Sequence, residues 1–143
     1  MARMEIKLPD ELLSKMSKMG AKTDEINEKV LRAGGEVLLT EVKSRLSAVV
    51  GKDTKHPSRS TGELENSLGL TSVKLDREGN ANIKVGFSEP RSKGDSNAKI
   101  ANILEYGKHG QPPKPFLKPA KTAAKSDCVS AMQKKFDEEV SKL

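Results

Sequence analysis

The side chains that most often carry out catalysis or bind metals are scarce in this sequence. It contains two histidines, His56 and His109, and one cysteine, Cys128. These are too few ligands for a structural zinc site, which takes four cysteines and histidines. A single cysteine also forms no intrachain disulfide and suits a reducing compartment. We therefore expect no metal and no cofactor.

Known catalytic motifs are missing as well. The sequence has no P-loop, no dinucleotide-binding glycine pattern, no nucleophile elbow and no HExxH motif. A serine–histidine–aspartate triad could still assemble through folding. However, His56 in Lys-His-Pro-Ser and His109 in Lys-His-Gly both lie in segments typical of exposed loops. The sequence favours a protein that is not an enzyme and leaves a small enzyme as the third alternative.

A run of positive charge is the next chemical signal. Between Gly107 and Ser126 the chain has no acidic residue and five lysines, which are Lys108, Lys114, Lys118, Lys121 and Lys125. Such a run can follow a phosphate backbone or meet an acidic partner, and a solvated face is the simpler structural interpretation. With one tyrosine, three phenylalanines and no tryptophan, a stacking platform for bases is not favoured.

The most distinctive string runs from Ile103 to Ala120, Ile-Leu-Glu-Tyr-Gly-Lys-His-Gly-Gln-Pro-Pro-Lys-Pro-Phe-Leu-Lys-Pro-Ala. It predicts a helix that ends at Gly107, a connector stiffened by prolines, and a second helix from Leu117. Pro119 is tolerated there because the first turn of a helix lacks internal partners for its N–H groups. In a purely structural interpretation, Tyr106 and Phe116 fill the core at this joint.

The elements that must position this string form an α+β set. Helical spacing of apolar residues predicts long helices over about 23–50 and 117–143, and short ones near 10–19, 60–68 and 98–106. The pattern also predicts strands at 4–8, 70–76 and 81–88, with a turn at 77–80 between the last two. We expect two long helices packed on a small, mostly antiparallel sheet with a central β-hairpin, joined by short connecting helices.

Two glycines interrupt the first long helix. Gly34-Gly35 should cost about 1–2 kcal/mol against alanine, so either the helix bends there or another backbone packs close.

The whole chain is expected to form one domain, 1–143. Its 143 residues fit a single core, and its net charge is +6. Segments near 52–60 and 89–97 lack large apolar residues, so they are predicted to be flexible loops. No apolar run approaches the length of a membrane span, and the N-terminus lacks a signal-peptide pattern. We expect no contact with a membrane.

The long string resembles the tail-completion or head–tail joining proteins of long-tailed phages and prophages, the gene-ten-like family of the lambdoid phages. In that family an aromatic–glycine pair ends a helix and Pro-Phe-Leu-(Arg or Lys)-Pro-Ala opens the final one. The matching positions are Glu105, Tyr106, Gly107, Pro115, Phe116, Leu117, Pro119 and Ala120. A second string resembles the family's Thr-Gly-x-Leu-x-x-Ser segment, at Thr61, Gly62, Leu64 and Ser67. Lys108-His109-Gly110, where the family more usually has Thr or Ser after the glycine, and the long 89–97 loop depart from the pattern.

The resemblance implies a structural virion subunit that closes a ring at the head–tail junction, with a hexamer as the expected ring. Its partners would be copies of itself and other neck and tail tube proteins. The five lysines would face a partner or lie near DNA without sequence specificity. The protein would be assembled in the host cytoplasm and reside in the tail or neck of the virion. A basic nucleic-acid-associated protein is the alternative function.

Overall fold

The computed structural model describes residues 3–7, 9–10, 13, 22–51, 62–89 and 94–142. The elements in chain order are β1 (Met4–Lys7), α1 (Thr23–Val49), α2 (Glu63–Ser67), β2 (Leu68–Leu70), β3 (Lys74–Leu75), β4 (Ala81–Phe87), α3 (Asn97–Tyr106) and α4 (Leu117–Ser141). The predicted α+β class with two long helices is confirmed. Most of the helix predicted over 10–19, the loop near 52–60 and the middle of the loop near 89–97 lie outside the described residues. None of the described helices has the length and apolar character that crossing a bilayer requires.

The sheet is antiparallel and is built around β4. β1 pairs with one side of β4, while β2 and β3 pair with the other, so Val85 is flanked by Met4 and Leu70. The single strand predicted over 70–76 is wrong, because its middle leaves the regular ladder. There the Thr71 hydroxyl oxygen accepts a hydrogen bond from the Lys84 N–H at 3.0 Å. A side chain thus supplies an acceptor that a backbone carbonyl gives in a regular strand.

The β3–β4 hairpin turns where the sequence predicts. The Asp76 carboxylate accepts hydrogen bonds from the N–H groups of Glu78 and Asn80, both at 2.9 Å, and Gly79 takes a φ of 82°. The alternation of apolar and polar residues over 81–88 predicts that Ile83, Val85 and Phe87 face inward and that Asn82, Lys84 and Gly86 face outward. Ile83 and Val85 are fully buried, so their inward orientation is confirmed. The prediction that Asn82 points outward into solvent is wrong, because it is 5% exposed at the centre of the sheet. Lys7 and Lys74 flank it in register.

The two long helices cross closely at Gly34. A Cβ atom there would lie 2.6 Å from Met132 Cγ and 3.1 Å from Cys128 Sγ, and the Cys128 thiol donates a hydrogen bond to the Gly34 carbonyl at 3.3 Å. On the sheet side, a Cβ on Gly35 would lie 3.1 Å from Leu70 Cδ2. At this glycine pair the atoms that pack close belong to side chains of the neighbouring elements and not, as the sequence suggested, to another backbone.

Replacing Gly34 by alanine is expected to lower the melting temperature. Alanine gains about 1 kcal/mol in helix propensity, but a methyl group forced against buried Met132 costs about 1–3 kcal/mol. Thermal denaturation of Gly34→Ala beside Gly86→Ala tests this, since a Cβ on Gly86 would meet nothing within 4 Å. A Gly34→Ala protein that melts above the wild type would show that the crossing can widen without cost.

The buried side of α4 follows the predicted spacing until its last turn. Leu117, Ala120, Ala124, Cys128, Met132 and Phe136 are all buried. Helical spacing predicts that the apolar side of this helix continues through Val140. In the last turn, however, Glu139 is the inward residue at 7% exposure, and Val140 is 36% exposed. The Glu139 carboxylate lies 3.2 Å from both Lys142 Nζ and Lys29 Nζ, so it joins the end of α4 to the first turns of α1.

The Glu139 contacts make stability depend on pH. Hydrogen bonds from Lys142 and Lys29 hold the pKa of Glu139 below its ordinary value in the folded protein. Its contribution is therefore present above the unfolded-state pKa, and it is lost as the pH falls through the folded-state pKa. We expect Glu139→Gln to flatten the loss of stability below about pH 4.5 relative to the wild type. Urea midpoints between pH 7 and pH 3 measure this, with exposed Glu36→Gln as the control; equal slopes for both variants would disprove it.

Candidate functional site

The centre of the distinctive string is a buried carboxylate, Glu105, at the end of α3. Its Oε2 atom accepts hydrogen bonds from the N–H groups of Phe116 at 2.8 Å and Leu117 at 2.9 Å, and its Oε1 atom accepts one from Lys118 at 3.1 Å. We call this arrangement the Glu105 clasp. The side chain is only 5% exposed. The clasp fixes the start of α4 to the end of α3 across the connector.

The sequence of the first turn of α4 suits this clasp. A helix begins with N–H groups that have no internal partner, and a negative charge there is favourable. Three of these groups bond to Glu105, Pro119 has no N–H, and the Ala120 N–H bonds to the Phe116 carbonyl at 3.2 Å. Pro119 is therefore tolerated in this first turn, because it has no N–H group that would need an acceptor.

The connector between the helices is a tight, internally bonded segment. Lys108 and Gln111 bond to each other through both backbone groups, at 3.0 and 2.9 Å, and the Lys114 N–H bonds to the Leu104 carbonyl. Gly107 has a φ of 77°, and a Cβ there would lie 2.8 Å from the Pro113 nitrogen. Only glycine fits this position, since both the backbone angle and the space exclude a side chain.

The two aromatic residues of the string have opposite environments. Phe116 is fully buried, and its ring packs edge-to-face on Phe87 with centroids 6.2 Å apart. Tyr106 is 74% exposed, so the interpretation that it fills the core is wrong. The inward positions of α3 are Asn97, Ala101, Leu104 and Glu105. Because Glu105 faces inward, the next residue is turned about 100° away from the core.

The second string forms the short helix α2. Its N-cap is Gly62, with a φ of 80°, and the helix begins at Glu63, whereas the start expected near residue 60 lies outside the described residues. Leu64 is buried, and the Ser67 hydroxyl donates a hydrogen bond to the Leu64 carbonyl at 2.7 Å. Thr61 lies outside the described residues. Since α2 packs against α3 and α1, this string supports the helix that carries Glu105.

The five lysines are divided between the connector and α4. Lys108 is exposed, and Lys118, Lys121 and Lys125 are exposed at spacings of three and four residues, which place them on one side of α4. Its place in the connector predicts an exposed Lys114, but this lysine is half-buried, and its backbone N–H is bonded to the Leu104 carbonyl at the end of α3. Lys108, Lys118, Lys121 and Lys125 form no ion pair with any described residue, whereas Lys29, Arg32 and Arg45 on α1 each do.

The residues that could do chemistry are not brought together. Cys128 is buried, and burial raises the pKa of its thiol, which disfavours the reactive thiolate. His109 is exposed in the connector turn, and His56 lies outside the described residues. Among the described residues, no three histidine, cysteine, aspartate or glutamate side chains are grouped to hold a metal ion.

Two positioning residues were not predicted from the sequence. Glu105 was singled out as part of the string, but not as the cap of α4; a signal was available, because Phe116 stands where a helix usually has a serine, threonine, aspartate or asparagine. Asn97, at the end of the loop predicted to be flexible, is 1% exposed and donates a hydrogen bond to the Ser88 carbonyl at 2.8 Å. Nothing in the local pattern indicates that contact.

In this site the side chains of the string join two helices and hold the connector between them. Residues 10–107 match the model of the HK97-gp10-like family, described as "Bacteriophage HK97-gp10, putative tail-component". The match covers 98 of the 143 residues, so the chain belongs to this family of phage tail components. It includes the Thr61–Ser67 string and Glu105, Tyr106 and Gly107, and it ends before Pro115 and α4. The chain matches no curated protein and no solved structure.

Proposed function

We propose that the protein is a structural virion subunit that closes a ring at the head–tail junction of a long-tailed phage or prophage. The observation that carries the proposal is membership of the phage tail-component family over most of the chain. The Glu105 clasp supports it, because it joins the family-matched part to α4 and holds the connector rigid on the surface.

In this proposal the copies meet head to tail. A contact between two different patches of the same chain generates a closed ring when its rotation closes, and a hexamer is the expected size. Other neck and tail tube proteins would contact the two faces of the ring. The subunit would be made in the host cytoplasm and become part of the virion when the tail is joined.

Electron microscopy of purified particles tests the location. An epitope-tagged copy, labelled with gold-conjugated antibody, is expected at one level of the particle, between head and tail tube. Labelling along the whole tube, or none, would overturn the proposed role. Native mass spectrometry of the isolated protein at several ionic strengths tests assembly. Monomers that form higher cyclic species agree with a ring, and a tight two-fold dimer with nothing larger would contradict it.

A basic nucleic-acid-associated protein is the second candidate function, and one observation favours it. Lys108, Lys118, Lys121 and Lys125 have no acidic partner among the described residues, and their charge could contact phosphates. Such a protein should bind a 30-base-pair duplex with an affinity that falls steeply as salt is raised. Fluorescence anisotropy between 50 and 200 mM salt measures the slope. Tight, salt-sensitive binding by a protein absent from particles would select this alternative.

A further inference from the structure

The connector and the first turns of α4 present an exposed surface that the fold itself does not use. We call it the Tyr106 surface and define it by Tyr106, Lys108, Pro112 and Pro113 together with the lysine row Lys118, Lys121 and Lys125. Tyr106, Lys108 and the two prolines line one shallow depression of about 470 Å³. Lys118 is close to it, because its N–H is bonded to Glu105, the neighbour of Tyr106.

We infer that the Tyr106 surface docks an acidic, partly apolar patch of a different tail protein; this rests on the proposed role in the tail. Tyrosine is enriched in protein interfaces and among the residues that contribute most of their binding energy. Among the described residues Tyr106 is the most exposed large apolar side chain, at 74%. It is also the only aromatic of the described residues on an exposed position, since Phe116 and Phe136 are buried and Phe87 is half-buried.

The surface is held in shape before any partner arrives. The Lys108–Gln111 backbone bonds, the close contact of Gly107 with Pro113 and the Glu105 clasp leave the connector little freedom. A preorganised surface loses little conformational entropy on binding, so more of the contact energy is available for affinity.

The charge of the Tyr106 surface indicates which kind of partner would bind there. The surface carries Lys108, Lys118, Lys121 and Lys125 without a described acidic partner, so an acidic patch would compensate it. A DNA backbone supplies negative charge but offers nothing apolar for the tyrosine ring and the prolines. A different protein whose surface combines aspartate or glutamate with apolar side chains would pair with the lysines and also cover the tyrosine ring and the prolines.

The test uses assembled particles and three variants of the full chain. Tyr106→Ala and the triple change of Lys118, Lys121 and Lys125 to glutamate alter the surface, and Tyr106→Phe keeps the ring. The matched controls are Leu75→Ala, which removes an apolar side chain that is 71% exposed on β3, and the triple change of Lys74, Arg77 and Lys134 to glutamate. Each variant is first melted to show that it is folded. Tagged protein is then quantified in particles from a host whose own copy of the gene is deleted.

We expect at least a tenfold loss of incorporation for Tyr106→Ala and for the Lys118/Lys121/Lys125 triple, with wild-type incorporation for Tyr106→Phe and both controls. If the wild type enters particles but Tyr106→Ala and the triple variant enter equally well, the surface is not a docking site and the proposed tail role stands. If tagged wild-type protein is itself absent from particles, the proposed role fails.

A photocrosslink then identifies the occupant. Benzoylphenylalanine is placed at Tyr106, or at Leu75 as the control, and particles are irradiated and digested. A crosslink from Tyr106 to an acidic peptide of a different tail protein, absent from the Leu75 sample, supports the inference. A crosslink to another copy of this chain, to a peptide without acidic residues, or to DNA overturns it.

Discussion

Replacing Glu105 by alanine is expected to destabilise the protein by about 3–5 kcal/mol, a large part of the roughly 5–15 kcal/mol that a domain possesses. The change removes the acceptor that three N–H groups at the start of α4 have among the described residues, and two of these bonds are fully buried. A buried donor without an acceptor keeps its full desolvation cost, and no other side chain among the described residues caps this helix. Urea denaturation followed by circular dichroism measures the loss.

Two further variants separate the clasp from an ordinary helix cap. Glu105→Gln keeps one carbonyl oxygen and the shape of the side chain, so its loss should lie between those of the wild type and Glu105→Ala. Glu89 accepts the Ala98 N–H at 2.8 Å at the start of α3 but is exposed, so Glu89→Ala should cost only about 0.5–1 kcal/mol. Equal losses for Glu89→Ala and Glu105→Ala would show that burial of the clasp adds nothing.

The long elements could be predicted because their signal is local. Helix α1 was expected over about 23–50 and occupies Thr23–Val49, since one side of it repeats apolar residues every three or four positions. The hairpin turn was predictable for the same reason, because Gly79 and its neighbours specify it within four residues. Both signals lie within the segment itself, and in this fold the tertiary contacts agree with them.

The sequence predictions are wrong where a contact with a residue far away in the chain determines the local structure. Thr71 leaves the regular strand because its hydroxyl bonds to Lys84, thirteen residues away, and Asn82 is covered because β1 and β3 both lie beside it. In the last turn of α4, Glu139 takes the buried position because Lys29 lies 110 residues away in sequence and only 3.2 Å away in space. Such pairings require the fold to be known first.

The sequence indicates which residues form the site, but it does not indicate how their side chains are arranged. The sequence shows that residues 103–120 are unusual, but the rotation of α3 decides which of Glu105 and Tyr106 faces inward. A tyrosine is the more apolar of the two and is the expected choice for a core. The carboxylate is buried instead because the start of α4 offers it three donors, which a tyrosine could not satisfy.

Phe116 should anchor α4, and its truncation to alanine is expected to cost about 3–5 kcal/mol. The ring is fully buried, and it packs on Phe87 of β4 with the two ring planes at 75°. Its backbone N–H is also the first donor of the Glu105 clasp, so a cavity at this point would loosen both the core and the helix start.

Tyr106→Ala is the matched control, because it removes an aromatic ring of similar size from the same string at a position that is 74% exposed. Together with Lys108→Ala, it should change stability by no more than about 0.5 kcal/mol. Thermal melts of the three variants, beside their incorporation into particles, distinguish the two roles. Phe116→Ala should lose both the fold and incorporation, whereas Tyr106→Ala should keep the fold and lose only incorporation. A Phe116→Ala protein that melts like the wild type would mean that the core closes without this ring, and the start of α4 would then depend on the Glu105 clasp alone.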